Sequence, residues 1–406
     1  MTQKIIDKLI QKGVSIPNPQ SVFISDDVDI DRISTSNVTL YNGTKLIGSR
    51  VLIMAGTQVG YEAPVTLENC LVGPNTKLHG GYFQDTVFMG DNVFGSNGHV
   101  RKGCILEEEA NAAHTVGLKQ TILFPFVTLG SLINFCDCLM AGGTSRKNHS
   151  EVGSSFIHFN YTPNQDKATA SMMGNIPKGV MLNQAPVFLG GQGGLVGPVQ
   201  IGFGCITAAG SIIRKSEPRQ GRLLMGGAMK TASLSWREGV YTNPNRIFKH
   251  NIAYIAGLIA LKNWYKNVRP LFIHDLHSGE LVKGLQTNLN ICIKERVKRL
   301  DAFGEKLKLS KQILSEAKKG QGSAALDSHD KVLEKIKKST EVFEHEMENM
   351  TLNANGEKFV QAVDKMISSK GKAYVNVIQS LEDDTIALGS NWLADIENRI
   401  TTTFEN

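Results

Sequence analysis

The sequence predicts a mainly β protein with an α-helical C-terminal part: a hexapeptide-repeat parallel β-helix followed by a helical domain. Three observations predict it. Aliphatic residues recur at every sixth position through the first half, turn formers cluster between them, and helical periodicity takes over after Pro218. Val22, Val28, Leu40, Leu46 and Leu52 share one six-residue phase, interrupted at Ser34. Ile47, Ile53, Val59, Val65 and Leu71 form a second series, and Phe88, Phe94, Val100 and Leu106 a third. A helix repeats its apolar face about every 3–4 residues and a lone strand about every 2. A six-residue period instead fits a coil in which each hexad is one short strand plus one turn. One coil cannot bury its inward residues alone, so coils stack and like aliphatics form columns. Residues tolerant of unusual backbone angles belong at the corners. Asn42-Gly43, Gly73-Pro74-Asn75, Gly90-Asp91-Asn92 and Gly95-Ser96-Asn97-Gly98 occupy such places.

Taken in order, residues 3–12 read as a short amphipathic lead-in helix, with 1–20 as the lead-in segment. Residues 21–218 read as the β-helix, its hexads running from about Val22 to Ile213. Gly142–Ser150 and Ala168–Asn183 interrupt the repeat; loops leaving a solenoid usually gather on one face, often the binding face. Residues 219–245 read as an extended connector and 246–406 as an α-helical domain. Within the latter, Ile293, Val297, Leu300, Leu307 and Leu314 fall on heptad positions, with Gly304 and Lys311 breaking the seam. Val332 to Met350 and Ile386 to Ile400 mark further amphipathic helices. The expected arrangement is a small antiparallel bundle folded onto, or beside, one end of the β-helix. The Lys-rich faces near 294–338 read as solvated surface.

At 406 residues the chain has room for two or three domains. Its net charge of +6 makes no case for nucleic acid. The six cysteines lie in apolar stretches without framework spacing, so they read as buried hydrophobes. Cys136 and Cys138 stand two apart and are expected on one strand face; no metal is predicted. The N-terminus has no apolar signal core, and Ile252–Leu261 is too short to span a bilayer. A cytoplasmic protein without membrane contact is expected.

The motifs carry a resemblance. Arg101-Lys-Gly, Glu107-Glu108 and Val116-Gly-Leu-Lys119 are followed by Phe159-Asn160-Tyr161, Asn164-Gln-Asp-Lys167, Val187-Phe-Leu-Gly190, Val196-Gly-Pro-Val199 and Thr207-Ala-Ala-Gly210. In this order, residues from about Val22 to Ser216 resemble the left-handed β-helix acetyltransferase domain of the bifunctional bacterial N-acetylglucosamine-1-phosphate uridyltransferases. The resemblance implies a homotrimer that binds a sugar phosphate or UDP-sugar between neighbouring β-helices, with acetyl-coenzyme A or another acyl-coenzyme A as co-substrate. It implies that Arg101 and Lys119 clamp a phosphate, the task to which guanidinium and ammonium groups are suited. Asn134, Asn160, Tyr161 and Lys167 would contact the sugar, and backbone near Gly191 and Ala209 would line the coenzyme A groove.

The departures are specific. Where the family carries its general-base His within a Gly–His–Leu–x–Tyr stretch, this chain has Gly130-Ser131-Leu132-Ile133-Asn134. An imidazole is suited to proton abstraction at neutral pH; a serine hydroxyl needs a partner to replace it. His149, in the inserted loop beside Arg146 and Lys147, is the first substitute candidate, since loops on rigid scaffolds often supply function. His114 and His158 are the others. An ungapped count places Asp166 where the family's loop lysine stands, with Lys167 next. No Gly-rich nucleotidyl loop precedes the β-helix, so uridyl transfer is not expected. Gly190-Gly-Gln-Gly-Gly194 lacks the Lys-Ser/Thr of a phosphate loop and reads as β-helix corners. Two functions follow: an acyltransferase with a rebuilt base, or a trimeric sugar-nucleotide-binding scaffold that has lost its chemistry.

Overall fold

The computed structural model describes residues 2–227, 231–317 and 323–405. Helix α1 (Thr2–Lys12) leads into a left-handed parallel β-helix, whose coils are closed by short strands on three faces. Face 1 runs from Phe23–Ile24 through Gly98–Arg101 to Ile212–Ile213, and face 2 from Leu52–Ile53 to Gln200–Ile201. Face 3 is a ten-stranded sheet from Thr39–Leu40 to Leu223–Leu224. The strands Gly117–Leu123 and Asn134–Met140 bend from face 1 into face 2, which joins those two faces into one sheet.

The six-residue period is the inward column. Leu40, Leu46, Ile53, Val59 and Val65 are fully buried, as are Phe88, Phe94, Val100 and Leu106. The corner between faces 1 and 2 stacks Gly48, Asn69, Asp85, Gly103, Gln120 and Asp137, all at positive φ. Asp137 therefore turns the chain between Cys136 and Cys138. Cys136 faces out of face 1 and Cys138 lies on face 2, so the pair does not share a face.

Face 2 differs from the others. Its strands carry two consecutive apolar residues: Leu52-Ile53, Leu71-Val72, Val87-Phe88, Ile105-Leu106, Ile122-Leu123, Leu139-Met140 and Met172-Met173. The second of each pair points inward. The first forms an outward column that is equally buried. A strand apolar on both sides needs a layer over it, and the C-terminal helices are that layer. They comprise α3 (Pro244–Asn267), α4 (Leu276–Ala317), α5 (Ser323–Glu348), α6 (Ala354–Lys370), α7 (Tyr374–Gln379) and α8 (Asp383–Thr402). The short α2 (Ile176–Gly179), from the second interruption, packs on α3 and α8.

The helices thus lie along the side of the β-helix rather than at its end. Gly284 of α4 sits against Leu71 and Val87, and Gly257 of α3 against Met172. The end of the β-helix is closed by the connector, where Leu223–Leu224 pairs with Ile206–Thr207. The breaks in the α4 heptads have local causes. Gly304 lets Ile336 of α5 approach, and Lys311 is paired with Asp330 at 2.6 Å.

Polar bonds fix α4 along the corner between faces 1 and 2. The Asn288 amide donates to the carbonyls of Asp85 (2.7 Å) and Cys104 (2.9 Å), and the Cys292 thiol to that of Gly103 (3.1 Å). Arg296 is paired with Asp137 at 2.7 Å, both side chains nearly fully buried. At the next corner Arg269 pairs with Glu107 (2.9 Å) and Glu108 (2.6 Å) and lies over the Tyr374 ring. The Tyr265 hydroxyl donates to Glu107 at 2.5 Å.

The buried carboxyl of Glu397 has no charged partner among the described residues. Glu397 of α8 faces a small cavity lined by Asn175, His250 and Tyr254, and burial raises its pKa to about 8 from 4.5. Folding therefore holds a proton that the unfolded chain releases above pH 4.5, so stability from this group falls as pH rises to about 8. His250, lowered from 6.5 by burial, acts in the opposite sense below its unfolded pKa. Between pH 6.5 and about 8 only the Glu397 slope remains in this cavity. The melting temperature is expected to fall across that window, and Glu397→Gln is expected to flatten the fall. An unchanged slope in the variant, followed by differential scanning fluorimetry, would refute the assignment.

Candidate functional site

Face 1 carries the polar outward columns. Arg101 pairs in register with Lys119 on the next coil, and Lys119 with Cys136. Successive coils lie about 4.8 Å apart, so the two cations stand as neighbours with no carboxylate between them. The Arg101 guanidinium reaches the Cys136 sulfur at 3.5 Å. Desolvation lowers the pKa of Lys119, against the opposing pull of Asp137 and Glu295. Such a pair binds an anion readily, since an oxyanion relieves both charges.

The adjacent outward column runs Tyr82, His99, Gly117, Asn134 and Ile157. Tyr82 and His99 stack, with centroids 5.4 Å apart. Gly117 leaves a notch between His99 and Asn134, because a Cβ there would meet nothing closer than 3.9 Å. Arg101 and Lys119 border this notch on one side. On the other lies the corner between faces 3 and 1, where His114, Ser131, Ser154, Gly191 and Ala209 follow one another up the stack. Ser131 N–H donates to Ser154 Oγ (3.2 Å), Gln192 N–H to Ser154 O (2.8 Å) and Gly210 N–H to Gly191 O (2.9 Å). Gly190 and Gly191 are required by close packing, since a Cβ on Gly190 would lie 2.5 Å from Ala209 N and one on Gly191 2.8 Å from Ser154 O.

The loop after Phe159 borders the cation pair. The Asn160 amide donates to Asp137 Oδ2 at 2.8 Å, and the Lys167 carbonyl accepts from Arg296 at 3.1 Å. Lys167 is close enough to Lys119 to help depress its pKa. Tyr161 is exposed. Asp166 is buried and accepts from Thr162 and from the Tyr241 hydroxyl, so it is a structural anchor rather than a free cation's substitute. Lys306 of α4 donates to the Asn164 carbonyl at 2.5 Å. The helical layer therefore holds this loop in place.

The three histidines separate clearly. His158 is buried; its Nδ1–H donates to the Cys136 carbonyl (2.7 Å) and its Nε2 meets Ser171 Oγ (2.8 Å). Burial depresses its pKa to about 4, so it stays neutral and structural. His149 stands on a β-hairpin, Gly143–Ser145 with Asn148–His149, at the corner between faces 2 and 3. Its Nδ1 is bonded to the Arg146 carbonyl at 2.8 Å, and Arg146 is fixed to Glu109 O, Phe126 O and Thr128 Oγ1. Within one chain this hairpin is turned toward α7, which Gln379 bonds to it, and away from face 1. Both interruptions of the repeat thus seat the helices rather than cover the notch.

His114 is exposed, and its Nδ1 lies 2.9 Å from Ser131 Oγ. The partner that Ser131 lacked in sequence is an imidazole one coil earlier. The two residues are seventeen positions apart, the local coil length shown by the pairing of Gly117 with Asn134. That spacing was the available signal. Among the described residues no group of three or more His, Cys, Asp or Glu is placed to hold a metal ion, and no helix is long and apolar enough to cross a membrane.

Comparison with known proteins bears on the β-helix. The chain is 24% identical to the bifunctional protein GlmU of Thermotoga sp. (strain RQ2) over 232 residues, 57% of this chain and 46% of that protein. It is 27% identical to the bifunctional protein GlmU of Desulfitobacterium hafniense (strain DSM 10664 / DCB-2) over 221 residues, 53% of this chain and 42% of that one. It is 24% identical to that of Exiguobacterium sp. over 225 residues. The β-helix is GlmU-like. The chain spans less than half the length of these GlmU relatives, and no family model matches it.

Proposed function

We propose that this GlmU-like protein transfers an acyl group from an acyl-coenzyme A to a sugar phosphate or UDP-sugar. The observation that carries the reading is the pair Arg101 and Lys119, in register on adjacent coils beside the open notch at Gly117. The phosphate lies on the two cations. The sugar lies over Gly117 toward Asn134, and Tyr161 and Lys167 border it from the loop. The acyl-coenzyme A follows the corner past Gly191 and Ala209, whose exposed backbone suits an extended ligand.

The assembly is a homotrimer in which a neighbour's face closes the notch. Supporting this, Phe188, Ile206 and Leu223 stand in register on face 3, outward and exposed. Such an apolar ladder is a partner surface. A monodisperse monomer in light scattering at working concentration counts against it.

Titration calorimetry with UDP-N-acetylglucosamine tests the site. Arg101→Ala and Lys119→Ala are each expected to weaken binding by about 1.5–3 kcal/mol, or roughly tenfold or more. Equal affinity in wild type and both variants would sink the reading. Ser131 and Asn134, in place of the family's His and Tyr, favour a second reading: a binding protein without chemistry. Binding without any acyl transfer supports it.

A further inference from the structure

We infer that His114 is the general base of the site, positioned by Ser131. The inference rests on the acyl-transfer reading above. The geometry points to this imidazole: His99, which also borders the notch, is stacked on Tyr82. His158 is buried with both ring nitrogens bonded, and His149 is turned to the helical side. His114 is exposed at the edge of face 1, in the same coil as Lys119 and the Gly117 notch. Five residues separate His114 from Lys119, at most about 18 Å of extended chain, and the corner shortens that. His114 at the corner and Lys119 on face 1 flank Gly117 along the same coil.

Ser131 holds the ring. With Nδ1–H donating to Ser131 Oγ at 2.9 Å, Nε2 keeps its lone pair, and the residue is exposed. Ser131 is itself fixed, because its N–H donates to Ser154 Oγ. Glu62, bonded to Ser96 and His79 two coils earlier on the same corner, is near enough to feel the His114 charge. Arg101 and Lys119 lie across the notch and are occupied by phosphate when substrate is bound. The base has thus moved one coil down the stack, and the hydroxyl at position 131 orients it.

The step balances without another reagent. The amine nitrogen of an amino sugar attacks the thioester carbonyl of acyl-coenzyme A, and the new C–N bond forms. His114 Nε2 takes the proton from that nitrogen. The C–S bond then breaks, the coenzyme A thiolate leaves, and the imidazolium returns the proton to it.

The test is thiol release from acetyl-coenzyme A by the full chain, with glucosamine 1-phosphate and UDP-glucosamine as acceptors. His114→Asn is expected to lower kcat about 10²–10⁴-fold. KM and the calorimetric affinity for UDP-N-acetylglucosamine are expected to stay within twofold of wild type. The acidic limb of the pH–rate profile is expected to vanish, and added imidazole to restore part of the rate to His114→Ala. Ser131→Ala is expected to keep the acidic limb while losing rate, since it loosens the ring without removing the base. Wild-type kcat in His114→Asn overturns the assignment. So does the absence of thiol release by wild type with both acceptors; if UDP-N-acetylglucosamine still binds through Arg101 and Lys119, the binding site stands and only the base falls. Loss of that binding in wild type brings down the site reading itself.

Discussion

Replacing Arg296 by methionine is expected to destabilise the protein by about 3–5 kcal/mol, the usual consequence of stranding one member of a buried ion pair. Arg296 and Asp137 are each only 2–3% exposed and lie 2.7 Å apart. Arg296 also donates to Gln120 Oε1 (3.3 Å) and to the Lys167 carbonyl (3.1 Å). Methionine fills part of the space but leaves the Asp137 carboxylate with only the Asn160 amide. The double variant Arg296→Met, Asp137→Asn removes the stranded charge, so it is expected to recover much of the loss. Urea unfolding of these two variants and of Asp137→Asn alone gives the coupling, which for contacting groups is about 0.5–3 kcal/mol. The same substitution reaches the site. Asn160 and Lys167 are held through Asp137 and Arg296, so affinity for UDP-N-acetylglucosamine is expected to fall in the single variant, although Arg296 itself faces the interior. A single variant as stable as wild type would show that the pair is solvated in solution.

The architecture was legible in the sequence because its signal is local. Inward residues repeat within a coil, and the same residue types recur in the next coil at the same place. The position of the helical layer was not legible from periodicity alone. Arg296, Asn288 and Arg269 bind corner carbonyls and carboxylates, yet Arg296 sits in the Lys-rich stretch that reads as solvated surface, and no periodic pattern marks Asn288 or Arg269. Asp137 gave no warning either, since aspartate at a corner is what the turn itself favours. One signal was present and stronger than the heptads. The doubled apolar residues of face 2, such as Ile105-Leu106 and Ile122-Leu123, cannot both point inward on a strand. They called for a covering layer along that side. The site was partly legible. Arg101 and Lys119 fall one coil apart and land side by side, as do Gly191 and Ala209 on the corner. The pairing of Ser131 with His114 rests on a local coil of seventeen residues rather than eighteen, a spacing present in the sequence and made plain by the register.

The doubled residues lead to the second large effect. Deleting residues 246–406 is expected to leave a chain that aggregates rather than a free-standing β-helix. Leu52, Leu71, Val87, Ile105, Ile122, Leu139 and Met172 form the outward column of face 2, and all are buried in the full chain. Removing the helices uncovers them in one continuous stripe. Fully burying each such side chain is worth about 1.5–3 kcal/mol, so the loss over seven of them is comparable to the whole stability of an ordinary domain, about 5–15 kcal/mol. Inward packing between coils survives the deletion, so the loss falls on solubility first. A stripe of this length on one flat face also exceeds the few hundred Å² of apolar patch that soluble monomers usually expose. Polar substitution supplies the control. A truncated 1–245 chain with Leu71, Ile105 and Leu139 each changed to threonine keeps its β propensity and makes the stripe discontinuous. It is expected to be more soluble than the plain truncation, by centrifugation and light scattering. A plain truncation that stays soluble and equally heat-resistant would mean that face 2 needs no cover, and that the helices are a separate module resting on it.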